Sequence, residues 1–133
     1  MTISLWCVLI AGLLPLIATG VAKFGAQDPE EQAAAKRYDN RAPRAYLDGL
    51  VGRRQRAHWA QLNSFEAFPL FAAAVVVAHL MQASPAVVDT LAMLFIAFRL
   101  SYIWAYIWDH PRVRSLVWAA AMLCNIGLFV ASA

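Results

Sequence analysis

Charge is what this sequence has least of. Of its 133 residues 14% are charged, where soluble domains carry about 25%. Cysteine is scarcer still. Cys7 and Cys124 both lie inside apolar runs, with no Cys-x-x-Cys spacing. That excludes a disulfide-stapled secreted fold and leaves two buried thiols acting as small hydrophobes. The chain has no phosphate-binding glycine loop, no nucleophile elbow and no metal box. No His, Cys or carboxylate stands at ligand spacing to His79, which reads as a packed polar residue, so no metal is expected.

Hydrophobic residues, at 62%, fill the space that charge leaves. They gather in long runs, and about 20 apolar residues span a hydrocarbon core of about 30 Å. The spans fall at about 3–22, 57–82, 86–108 and 115–132. The expected fold is all-α: a single-domain integral membrane four-helix bundle. Met1-Thr2-Ile3-Ser4 carries no basic side chain and the first run is longer than a signal-peptide core, so it reads as a retained helix. Pro15 is tolerable within it. The second helix starts earlier than its apolar run, near Arg53, and Ser84-Pro85 closes a short connection. Asp109-His110-Pro111-Arg112-Val113-Arg114 reads as a polar turn, and Asp89 as a solvated or helix-start charge.

The one long polar segment is 23–61. Asp28-Pro29-Glu30-Glu31 has the order of a helix start, with Asp as N-cap and Pro in the first turn. That predicts a surface helix through Lys36 and a break over Tyr38–Arg44, before Pro43. Basic residues are strongly one-sided. The first loop holds Lys23, Lys36, Arg37, Arg41, Arg44, Arg53, Arg54 and Arg56, and the third holds Arg112 and Arg114. The termini and the second loop hold none. The positive-inside rule then places both basic loops in the cytoplasm and both termini outside. Tyr102, Trp104, Tyr106 and Trp108 crowd the same end, as an interfacial aromatic belt does. Five acids interleave with the arginines of the first loop, which argues against nucleic acid; orientation and contact with anionic membrane lipid are enough to explain the arginines.

Two charges break the apolar pattern, Glu66 and Arg99, and charge at membrane depth is a functional hypothesis by default. Counted from the far ends of their helices they lie about 24 Å and about 21 Å deep, close enough in level for an ion pair within one subunit or across a subunit contact. Each belongs to a stripe on one helix face: Arg56, Asn63 and Glu66 on the second helix, Arg99, Tyr102 and Tyr106 on the third. Such a mixture of cation, amide and phenol suits an anionic, hydrogen-bonding ligand. The plainer reading is that these groups only hold helices together.

Arg56-Ala57-His58-Trp59-Ala60-Gln61-Leu62-Asn63-Ser64-Phe65-Glu66-Ala67-Phe68-Pro69-Leu70-Phe71 resembles the second-helix signature of the MAPEG family, the membrane-associated proteins of eicosanoid and glutathione metabolism. Ala60, Gln61, Asn63, Glu66 and Pro69 carry the match. Arg99-Leu100-Ser101-Tyr102 with Tyr106 is similar to the family's third-helix pattern. Arg114-Ser115 is similar to the family's arginine after that helix, and Tyr38–Arg44 to a loop of its small bacterial members. The resemblance implies a homotrimer in the bacterial inner membrane, with glutathione as co-substrate in a cleft between subunits. The partner substrate that the resemblance implies is a hydrophobic electrophile or a lipid hydroperoxide. Carried over, Arg56, Gln61, Asn63, Glu66, Arg99, Tyr102 and Tyr106 bind glutathione, and Arg114 or Arg112, with Tyr102, serves the sulfur. The family core begins with Arg four residues before the Asn, where this chain has Trp59. Arg56, one turn earlier on the same face, is the candidate to replace it; the alternative is that Trp59 fills part of the cleft. Some members bind lipid without catalysis, and that role stands as the alternative function. A proton-coupled transporter needs a carboxylate reachable from both sides; the first helix has no acid and Glu66 lies near one face.

Overall fold

The computed structural model describes residues 1–33 and 38–133. Six helices run in order: α1 Ile3–Phe24, α2 Pro29–Ala33, α3 Pro43–Asp48, α4 Gly52–Leu80, α5 Pro85–Ile107 and α6 Pro111–Ala131. Four of them, α1, α4, α5 and α6, are long and apolar enough to cross a membrane. They form an all-helical bundle in which α1 lies along α4 and α5 along α6.

Local chemistry sets the boundaries. Proline stands at the first position of α5 and of α6, where its missing N–H costs nothing. Arg112 and Arg114 therefore belong to the first turn of α6 and not to the expected polar turn. The two hairpins are built alike. After α4, Gln82 takes φ +56°, and the Gln82 and Ala83 N–H groups donate to His79 O and Ala78 O. After α5, Asp109 takes φ +58°, and the Asp109 and His110 N–H groups donate to Tyr106 O and Ala105 O. Both are Schellman closures made without glycine. Ser84 sits at the α5 N-cap, but its side chain makes no cap hydrogen bond.

Small residues line the interior, so the helix backbones approach closely, as in membrane bundles generally. One buried cluster includes Cys7, Ala11, Phe71, Ala74, Ala78, Ala92, Phe95, Cys124 and Leu128. Phe71 and Phe95 stack within it at 3.9 Å. A second, nearer the basic loops, includes Leu14, Ala18, Ala22, Leu47, Ala57, Ala60, Ile103 and Ile107. Leu9, Leu13, Leu16, Ile17 and Leu123 face outward, an arrangement that fits an integral membrane protein.

Two polar clasps fix the ends of α1. At its start the Ser4 N–H donates to Asp89 Oδ1 at 2.8 Å. Asp89 is therefore neither simply solvated nor the cap of its own helix; it caps α1. Beside it His79 Nδ1 donates to Val75 O, which leaves Nε2 to pair with the Thr2 hydroxyl at 2.9 Å. At the other end of α1 the buried Arg54 donates from Nε to Ala22 O and from Nη2 to Lys23 O, both at 2.7 Å, and to the Tyr46 hydroxyl. The first amides of α4 are capped in turn from the loop. Arg54 N–H donates to Glu31 Oε1 at 2.7 Å and Arg53 N–H to Asp28 Oδ2 at 3.2 Å. Glu31 Oε2 also accepts the Asp28 N–H, the capping-box bond of α2. The surface helix expected to reach Lys36 is α2, whose described part ends at Ala33; Lys36 and Arg37 lie outside the described residues. The short α3 was not anticipated.

Candidate functional site

The polar stripes of α4 and α5 meet at the half of the bundle nearer the basic loops. Arg99 is 2% exposed. Its Nη1 donates to Asn63 Oδ1 at 3.0 Å and its Nη2 to Ser64 Oγ at 3.2 Å, and its guanidinium lies 4.4 Å from the centre of the Tyr102 ring. Asn63 Nδ2 donates onward to Glu66 Oε2 at 3.2 Å. The direct Glu66–Arg99 ion pair expected from matched depth is thus not formed within the chain; among the described residues Arg53 pairs with Asp28 at 3.0 Å, and the His58 ring lies 3.3 Å from Asp48 Oδ1. Asn63 stands between the two charges because its amide offers an acceptor to one and a donor to the other. Glu66 itself is exposed.

In front of this relay lies a cleft of about 450 Å³, walled by Trp59, Leu62, Asn63, Glu66, Tyr102 and Tyr106. Tyr102 and Tyr106 meet edge to face at 5.6 Å, and Trp59 leans on Tyr106 at 6.4 Å. Arg114, half-buried on the first turn of α6, sets its guanidinium 4.4 Å from the Tyr106 ring centre. The arrangement offers a carboxylate, an amide and two phenols to one ligand, with a cation at one edge and another behind the wall.

A family model described as the MAPEG family matches residues 3–133, nearly the whole chain. The chain belongs to the MAPEG family. No match was found among curated proteins or among solved structures.

In this MAPEG chain the residues marked by the sequence separate into two groups. Asn63, Glu66, Tyr102 and Tyr106 line the cleft; Arg99 supports it and Arg114 borders it. Arg56 does not join them. Its Nε donates to Ile107 O at 3.2 Å, closing the last turn of α5, and it is not among the residues that wall the cleft. Trp59, 44% exposed, occupies the cleft wall itself. Gln61 turns to the His58 ring, 3.2 Å away, and not to the cleft. Arg112, two residues before Arg114 and so about 200° around the helix, is exposed away from the face that Arg114 uses. The sequence reading missed Ser64, whose hydroxyl accepts from Arg99 while donating to Ala60 O. It also missed Leu62 as a wall. Ser64 was open to detection as the small polar neighbour of Asn63 on a helix facing a buried arginine.

Proposed function

We propose that this MAPEG protein is a membrane-bound, glutathione-dependent transferase or peroxidase acting on hydrophobic electrophiles. The observation that carries the proposal is the cleft beside the Arg99–Asn63–Glu66 relay, with Arg114 on Tyr106 at its edge. On this reading Glu66 takes the ammonium of glutathione, and Asn63, Tyr102 and Tyr106 hold its peptide groups. Arg114 stands by the sulfur. A free thiol titrates near pH 8.5 and a neighbouring cation lowers that value, so the guanidinium favours the thiolate. The Tyr102 hydroxyl adds a donor to the sulfur anion. In transfer, sulfur bonds to the electrophilic carbon and the leaving group departs with its electron pair. In reduction, two glutathiones and a lipid hydroperoxide give the disulfide, the lipid alcohol and water. The functional unit is a homotrimer in a bacterial inner membrane, with the cleft toward the cytoplasm and both termini outside, as the one-sided arginines favour.

Purified protein in detergent tests the proposal. It is expected to conjugate a generic aryl halide, or to reduce a lipid hydroperoxide, only when glutathione is present. Absence of glutathione binding by calorimetry together with absence of turnover rejects it. Arg114→Ala is expected to lower the thiolate absorbance of bound glutathione at neutral pH more than it lowers affinity; an unchanged absorbance rejects that role. A second reading is a non-catalytic binding protein on the same fold. Trp59 on the cleft wall favours it, and binding without turnover is its signature.

A further inference from the structure

Polar groups at membrane depth need partners, because hydrocarbon offers none. Among the described residues one buried side-chain atom has none within the chain: Oδ1 of Asn125, in the second half of α6. The buried guanidinium of Arg99 has the opposite surplus. A guanidinium carries five N–H donors, and the chain engages two of them, through Asn63 and Ser64. A cavity of about 50 Å³ lies between the two groups, where α4, α5 and α6 meet. Asn125, Arg99 and Glu66 are its polar walls, and Phe95, Trp118 and Met122 are among its apolar ones. Glu66 walls the cleft as well, so one carboxylate borders both spaces.

The walls select the occupant. An anion would meet the Asn125 oxygen and the Glu66 carboxylate. A cation would meet the guanidinium. Hydrocarbon would satisfy none of the three. What fits is neutral, small, and able to donate and accept at once. An apolar cavity stays dry, whereas one with polar walls takes water. Each water needs about 10–15 Å³ of such space, so the cavity has room for about three.

We infer that about three buried waters occupy this cavity and tie Asn125 of α6 to Arg99 and Glu66. Arg99 donates to water, and water donates on to Asn125 Oδ1 and to the Glu66 oxygen that Asn63 does not hold. Glu66 is then fixed from two sides, by Asn63 directly and by α6 through water. Asn125 is outside the cleft wall. It is a positioning residue, which steadies the carboxylate that the cleft presents. That role rests on the reading in which Glu66 takes the ammonium of glutathione; the hydration of the cavity does not.

A structure of the wild-type protein that resolves ordered solvent tests the waters with no ligand present. Solvent density is expected about 2.5–3.0 Å from Asn125 Oδ1 and in contact with Arg99. A dry cavity, or one filled by a lipid chain or by a side chain of a neighbouring subunit, overturns the inference. Calorimetric titration in lipid nanodiscs reads the positioning. Asn125→Leu fills the space and offers no acceptor. It is expected to weaken glutathione about two- to ten-fold, the effect of having to order one freed side chain on binding. Affinity for des-amino glutathione, with hydrogen in place of the α-ammonium, is expected to be the same in variant and wild type, because Glu66 has nothing to hold there. Asn125→Ser, which keeps a polar group beside the waters, is expected to restore glutathione binding. If Asn125→Leu unfolds the bundle, Asn125→Ala is read against the same pair of ligands. An equal loss for both ligands, or no loss for glutathione, overturns the positioning role. Absence of glutathione binding by the wild type sinks the transferase reading instead, and the solvent density still decides the waters.

Discussion

Replacing Arg99 by Leu separates two readings of the polar stripes, as a ligand site and as helix glue. The cost in stability is set by the groups left behind. Ser64 keeps its bond to Ala60 O and Glu66 is exposed, so neither is stranded. Only Asn63 Oδ1 loses its partner, worth about 1–3 kcal/mol. Against that, a buried guanidinium is no longer withheld from water. The net change is expected within about 2 kcal/mol of zero. Ligand binding should respond otherwise. Asn63 and Glu66 become free to rotate, and re-ordering each costs about 0.5–1.5 kcal/mol. The two together come to roughly 1–3 kcal/mol, a loss of about 5- to 150-fold in glutathione affinity. Calorimetric titration in detergent reads the affinity, and thermal unfolding of the same sample reads the stability. A variant that melts far below the wild type, yet binds glutathione normally per folded molecule, refutes the reasoning and leaves the network as glue.

Other perturbations are simpler. Gln82→Gly removes a side chain from a left-handed position, and a gain of about 1 kcal/mol is expected, seen as a higher Tm; Asp109→Gly should gain less, because Asp tolerates that region. Gly52→Ala places a Cβ 2.9 Å from Glu31 Oε1 at φ +63°, so it should lose roughly 1–2 kcal/mol and make the Asp28–Glu31 segment more sensitive to limited proteolysis. Arg54→Leu takes a donor from two α1 carbonyls and from Tyr46; about 3 kcal/mol of stability should be lost in denaturant titration, with partial recovery in Arg54→Lys.

The four spans were legible because hydrocarbon thickness demands long apolar runs, and no side-chain detail bears on that requirement. Asn63, Glu66, Tyr102 and Tyr106 were legible because helical spacing puts them on faces that do meet. Periodicity gave the face of Arg56 but not its reach. A long side chain can swing back to the carbonyl of a neighbouring helix end, and the unsatisfied Ile107 O supplied the partner. The hairpins hid for a related reason. Their left-handed positions are held by Gln82 and Asp109, not by the glycine that usually announces such a turn. Arg114 and Arg112 are two residues apart in sequence, and only the rotation of α6 upon α5 tells them apart.

The clasps at the ends of α1 also bear on the order of assembly. Chains emerge N-terminus first, so α1 is made before anything it binds. Its closing carbonyls wait for Arg54, and its opening amide waits for Asp89. A nascent chain stopped after Arg54 but before His79 holds α1 by one end, free to tilt in the bilayer. The first helix made is thus among the last to be locked. Errors in α5, far along the chain, should therefore register as a loose N-terminus.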